Sequence, residues 1–134
     1  MRLKRPLVVT IALLGACKSP TPAEQMDSIK SWLATAEMVG QSWLRHSTPD
    51  KSSRQTLELS HERLLQISTD LLASPPLAVD SARLDSILVR SRGHVDRMAR
   101  LIEAKNSPDF RRQLDSLRAD EKIVEQISNA MPKQ

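Results

Sequence analysis

Thr48-Pro49-Asp50 divides two apolar-periodic stretches of this chain, and its chemistry is that of a helix start. A hydroxyl ahead of proline accepts one of the backbone N–H groups that a first helical turn leaves unpaired. Proline at the first helical position lacks a donor that would have gone unused, and the acid behind it faces the positive end of the helix dipole. The same order recurs as Thr21-Pro22-Ala23-Glu24 and as Ser107-Pro108-Asp109. Three helices are therefore predicted to begin at these prolines, each capped by the Thr or Ser before it. Ser74-Pro75-Pro76 parts the second segment from the third, and Pro132 closes the fourth.

Between these stops the apolar residues recur at three- and four-residue spacing, which puts them on one face of a helix. Ile29, Trp32, Leu33, Ala36, Val39, Gly40, Trp43 and Leu44 form the face of the first segment. The second carries Leu57, Leu64, Leu65, Ile67, Leu71 and Leu72, with His61 and Ser68 inside the stripe. The third runs from about Leu77 to Lys105 with Leu84, Ile87, Leu88, Val95, Met98, Ala99 and Ile102, and Ser91 lies on the same line. The fourth carries Phe110, Leu114, Leu117, Val124, Ile127 and Met131, with Glu121 near the seam. No alternation or hairpin dipeptide suggests a strand. The expected fold is all-α: an up-down-up-down four-helix bundle over residues 22–134, a rod about 36 Å long if each helix has about 24 residues. Gly40 and Gly93 fall inside predicted helices. Gly40 is expected to let a neighbouring helix approach closely, the alternative being a hinge, and Gly93 to be a weak point in a continuous third helix.

The first residues have a different logic. Arg2, Lys4 and Arg5 are followed by an uncharged run of ten, Leu7 to Ala16, and then by Cys17, the sole cysteine of the 134 residues. The run is too short for a bilayer-spanning helix, which needs roughly 20 apolar residues. Leu14-Gly15-Ala16-Cys17 resembles the lipobox of bacterial lipoproteins, in which a dedicated signal peptidase cuts before a cysteine bearing a diacylglycerol thioether. Leu14 at the −3 position suits that enzyme and not the ordinary A-x-A site. The resemblance implies that residues 1–16 are a cleaved signal peptide and that Cys17 is the lipidated first residue. Residues 17–21 become a short tether, and anchoring is through acyl chains such as palmitate. Lys18 after the cysteine resembles the outer-membrane-sorted class, which places the protein at the periplasmic face of that membrane. Four residues between Cys17 and Pro22 reach at most about 14 Å, so the bundle would sit against the headgroups.

Processing also changes the charge argument. The whole chain has a formal net charge of +4, and loss of Arg2, Lys4 and Arg5 with the leader lowers it to +1. A basicity-driven partner such as nucleic acid is then not expected, and with one Phe, two Trp and no Tyr there are few platforms for stacking bases.

Glu58-Leu59-Ser60-His61 is the sharpest chemical candidate, because Glu-x-x-His puts a carboxylate and an imidazole on one side of a helix, as in di-iron bundles. Those bundles use the motif twice with two further glutamates. Here the third helix offers His94 with Ser91 in the glutamate's place, and Glu37 of the first helix is read as lying off the core face. His61, His94, Met98 and Met26 supply the atom types of a haem ligand pair, yet no Cys-x-x-Cys-His attachment exists. There is no Gly-x-Ser-x-Gly elbow and no glycine-rich phosphate loop. No catalytic residue, cofactor or metal is assigned. Trp32 and Trp43, eleven residues apart, share an edge of the first helix; they either anchor it in the core or, half-exposed, contact a partner protein or the membrane surface. The sequence reading is thus a lipid-anchored, non-enzymatic interaction or scaffolding bundle of the envelope, with an envelope protein as partner. Its rival is a bundle that holds a metal or small ligand through Glu58 and His61.

Overall fold

The computed structural model describes residues 19–73 and 81–132, and it is all-helical over them, without a strand. Four helices of 23 residues follow one another: α1 (Pro22–Leu44), α2 (Asp50–Leu72), α3 (Ser81–Glu103) and α4 (Ser107–Asn129). At 1.5 Å per residue each is about 35 Å long. α3 runs unbroken through Gly93, as expected, and Lys105 lies just past its end. Ser74-Pro75-Pro76 and Leu77 fall outside the described residues.

The first helix start is as the sequence predicts: Thr21 caps α1 by accepting the Glu24 N–H at 3.2 Å. The other two starts are each displaced by one residue. At α2 the cap position is Pro49 itself, with no side-chain cap bond, because the Thr48 hydroxyl is engaged with that of Ser42 at the end of α1. At α4 the cap is Asn106, whose Oδ1 accepts the Asp109 N–H at 3.1 Å while its Nδ2 donates to the Asp109 carboxylate at 2.7 Å. Ser107 and Pro108 are thereby the first two helical residues.

α1 and α3 end in the same device. The His46 N–H reaches the Trp43 carbonyl and the Ser47 N–H the Ser42 carbonyl; Lys105 and Asn106 repeat this with Ile102 and Leu101. This is the paired hydrogen bonding of a Schellman cap, which turns on a left-handed residue after the helix. His46 (φ 58°) and Lys105 (φ 55°) occupy that position where glycine is usual.

Each helix packs on its neighbours in sequence, and α1 also packs on α4, so the four close into a ring. Contacts between the end of α1 and the start of α4, and between Arg54 near the start of α2 and Glu103 at the end of α3, are compatible with an up-down order. The core is made of the predicted stripes: Ile29, Leu33 and Ala36 from α1, Leu57, Leu64 and Leu71 from α2, and their counterparts on α3 and α4. Leu65 is the exception at 44 % exposed. The buried line of α2 is narrow, with a leucine every seven residues alternating with Ser53, Ser60 and Ser68, and Leu65 lies outside it. The Ser60 and Ser68 hydroxyls donate to carbonyls one turn back, whereas the buried Ser53 hydroxyl has no partner.

Gly40 behaves as the close-packing reading requires. An ideal Cβ there would lie 2.9 Å from Met98 Cε and 3.2 Å from Leu114 Cδ1, so the missing side chain is what admits α3 and α4. Among the described residues no helix is long and apolar enough to cross a membrane.

Candidate functional site

Two polar clusters interrupt the seams beside α4, one on each side. Toward α1 an open groove is lined by Lys30, Leu33, Glu37, Arg118, Glu121 and Lys122, with Glu125 at its edge. Glu37 Oε1 accepts from Arg118 Nε at 3.0 Å and from Gln41 Nε2 at 3.2 Å. The Glu121 carboxyl hydrogen-bonds to that of Glu37. Two carboxyls in contact cannot both ionise cheaply, and partial burial adds to the difficulty. Burial, reinforced by the hydrogen bond to Glu37 and its charge, pushes Glu121 up to about 8 against the pull of Arg118. Glu37 moves the other way: the bond from Glu121 and the Arg118 guanidinium hold it below the usual carboxylate range, although burial opposes them. Glu121 therefore carries the proton at neutral pH and Glu37 the charge.

Toward α3 the Asp120 side chain is 4 % exposed and meets three groups. Arg90 donates to its Oδ1 from Nε at 3.0 Å and Nη2 at 2.7 Å; on Oδ2, Ser91 Oγ approaches to 3.4 Å and His94 Nε2 to 3.4 Å. His94 Nδ1 lies 2.7 Å from Gln113 Oε1, which also accepts from Arg97 Nη1 at 3.2 Å. Arg97 Nη1 also lies 3.3 Å from His94 Nδ1, so the ring is tied to Asp120 through one nitrogen and to Gln113 and Arg97 through the other, across the α3/α4 seam.

The residues singled out in the sequence fall elsewhere. Glu58 is exposed on α2 and pairs with Arg54 at 3.7 Å, while His61 is half-buried one turn on. Among the described residues no three of His, Cys, Asp and Glu gather as a metal set would. Met26 and Met98 are fully enclosed in the core. Trp43, 7 % exposed, donates its indole N–H to Asp50 Oδ1 at 2.8 Å and packs on Phe110 with ring centroids 4.5 Å apart. It is a core anchor, so the shared exposed edge does not exist at that end. Trp32 is half-buried beside Asp27, Ser28, Ser31 and Thr35, and it alone keeps the surface a contact needs. Leu14, Gly15, Ala16 and Cys17 lie outside the described residues.

Glu37 lies off the core face, as read, but is not left to solvent: it lines the α1/α4 groove, where α4 supplies Arg118 and Glu121. Asp120 and Arg90 carried no signal as a pair; a heptad comparison of α3 with α4 would have placed an acid opposite Ser91. Comparison with protein families, with curated proteins and with solved structures finds no match.

Proposed function

We propose that this chain is a lipid-anchored protein of the bacterial cell envelope, cut before Cys17 and held at the periplasmic face of the outer membrane by acyl chains on that residue. Its mature part, an up-down-up-down four-helix bundle, acts as a non-catalytic interaction or scaffolding module, with an envelope protein as partner. The observation that carries the reading is Leu14-Gly15-Ala16-Cys17 behind a positively charged start. Two features of the fold support it. α1 opens at Pro22, so only a short tether separates Cys17 from the bundle. The core is filled by aliphatic side chains, and the polar clusters at the seams are mostly internally paired, as suits a rigid body that presents surfaces. A multiply acylated cysteine holds such a body firmly, since each buried methylene contributes about 0.8 kcal/mol.

Metabolic labelling with palmitate tests the anchor. The wild type is expected to take up label and to accumulate as an unprocessed precursor with globomycin, and Cys17→Ala to do neither; an unlabelled, normally processed wild type overturns the proposal. For the partner, a photo-crosslinking residue at Trp32 is expected to capture an envelope protein, whereas the same residue at the buried Trp43 captures none. Adducts with lipid alone from Trp32 would refute the protein-docking half.

A further inference from the structure

Beyond His94 the α3/α4 seam opens into a second groove, toward the turn that joins the two helices, and guanidinium groups dominate its walls. Arg97, Arg100 and Leu101 of α3 face Asp109, Arg112 and Gln113 of α4 across it. The three arginines are exposed, and Leu101, half-buried against the core, gives the groove an apolar floor. Nearby acids do not match these cations. Arg100 pairs with Asp96 and Arg112 with Asp109, each within its own helix. Such pairs between water-exposed side chains contribute only about 0–1 kcal/mol, so a competing carboxylate displaces them readily. Arg97 has no carboxylate partner among the described residues. Its Nη1 donates to Gln113 Oε1 at 3.2 Å, so a neutral amide positions the guanidinium and leaves its charge unmatched. Lys105 stands exposed in the turn at the head of the seam, which brings the local balance to four cations against two acids. The excess is local, since the chain past residue 16 carries only +1.

Position and lining narrow what such a groove can hold. α1 starts beside the tether, so in an up-down bundle the α3/α4 turn lies at the other end, and Arg97 and Arg112 stand about 25 Å along the helices from the tether end. That is about three screening lengths at physiological salt, so headgroups at the anchored end act weakly on these arginines. Among the described residues no aromatic side chain lines the groove, so a sugar or a base has nothing to stack on. An extended acidic peptide fits better. Acids at every second position put carboxylates on one side about 7 Å apart, and three of them cover the roughly 12 Å of seam from Arg97 to Lys105. We propose that the α3/α4 groove seats an extended acidic segment of the protein partner, with Arg97 as its main anchor and Arg100 and Arg112 turning from their own acids to its carboxylates. Guanidinium suits this role because its planar fork takes a carboxylate through two hydrogen bonds at once. The assignment rests on the reading of the chain as an interaction module, and it names where and by what chemistry the partner is held. Trp32 lies on α1, outside this groove, so the two contacts are separate.

The probe is a fluorescein-labelled peptide of four Glu-Ser repeats, titrated into the purified whole chain and followed by fluorescence anisotropy. It is expected to bind at about 50 mM salt and to weaken toward about 500 mM, and the matching Lys-Ser peptide is expected not to bind. Arg97→Gln and Arg112→Gln should each weaken binding about fivefold, whereas Arg63→Gln, at an exposed arginine of α2, should leave it unchanged. Circular dichroism checks that each variant is folded. Amide shifts moved by the peptide should fall within α3, α4 and their turn, and not in α1 or α2. No binding at about 50 mM salt, an equal loss in Arg63→Gln, or shifts spread over all four helices would overturn the proposal. So would vesicles of phosphatidylglycerol and phosphatidylcholine that bind through these arginines while the peptide does not. The assay needs neither lipid on Cys17 nor Trp32, so its failure and a failure of the anchoring or crosslinking tests are told apart.

Discussion

Alanine at Gly40 and alanine at Gly93 are expected to change stability in opposite directions, although both replace a glycine inside a helix. The helix-propensity gain is the same, about 1 kcal/mol. At Gly40 the new Cβ would stand 2.9 Å from Met98 Cε, 3.2 Å from Leu114 Cδ1 and 3.4 Å from Phe110 Cε1, closer than the 3.5–4.0 Å at which carbon atoms attract. The methionine tip can bend aside. Leu114 and Phe110 have less room, since both are at most 1 % exposed and the Phe110 ring rests on Trp43, itself tied to Asp50. Overpacking of this kind costs about 1–3 kcal/mol; with a cost near the middle, Gly40→Ala loses about 1 kcal/mol net, or about 4 °C in Tm for a domain of this size. At Gly93 the Cβ meets only the guanidinium end of Arg97, at 3.4 Å and beyond, and that side chain can swing into water. Gly93→Ala therefore keeps its propensity gain and is stabilised by about 0.5–1 kcal/mol. Urea titration and thermal melting followed by circular dichroism give both numbers. A Gly40→Ala protein as stable as the wild type would show that α1 can be moved away from α3 and α4 without loss, which would refute the reasoning.

Other consequences are measured in the same way. Arg90→Met removes the two shortest hydrogen bonds of the buried Asp120 carboxylate and leaves it Ser91 and His94, so with Arg90 itself half-exposed it is expected to cost about 1–2 kcal/mol, whereas the double change Arg90→Met/Asp120→Leu removes the charge with its partner and recovers most of that; a double variant less stable than Arg90→Met would contradict it. His46→Gly and Lys105→Gly relieve left-handed backbone at the two Schellman caps and should each raise the urea midpoint, by about 1 kcal/mol in stability, with the helix content unchanged. Ser53→Ala deletes a buried hydroxyl without a partner and should be neutral or stabilising by up to about 1 kcal/mol, in contrast to the loss usual for a core substitution.

The helices and their apolar faces were legible because both rest on information inside a single helix. Ile29, Leu33 and Ala36 recur with the helical period, and Thr21, Pro22 and Glu24 lie within one turn of the bond they make. The two starts that shifted did so for different reasons. Asn106 is three residues before Asp109, and its amide accepts that residue's N–H through Oδ1 while donating to its carboxylate through Nδ2. Thr48 was a sound cap by type, but its hydroxyl is taken by Ser42 across the turn, an outcome set by the meeting of α1 with α2. Trp43 and Trp32 likewise look equivalent on a helical projection. Phe110 and Asp50, from two other helices, are what bury the first and leave the second at the surface.

The seam clusters were illegible for a stronger form of the same reason, and their arrangement explains why they are there. Asp120 and Glu121 are consecutive, and successive residues of a helix point about 100° apart. On a single helix they read as a solvated acidic pair. In the bundle one residue turns to α3 and the next to α1, so α4 is fixed to both neighbours at one level of its length: by Arg90, Ser91 and His94 on one side, and by Glu37 with Arg118 on the other. Leucine stripes alone leave a helix free to slide by a whole heptad with little change in what it buries, whereas a sliding α4 would carry Asp120 away from Arg90 and Glu121 away from Glu37 together. Polar groups at these two positions therefore select a single register at some cost in stability. On the α3 side Asp120 is bound to a guanidinium that stays charged throughout the working range of pH, so that side is permanent. On the α1 side Arg118, a guanidinium of the same kind, holds Glu37 at 3.0 Å, so that attachment persists as well.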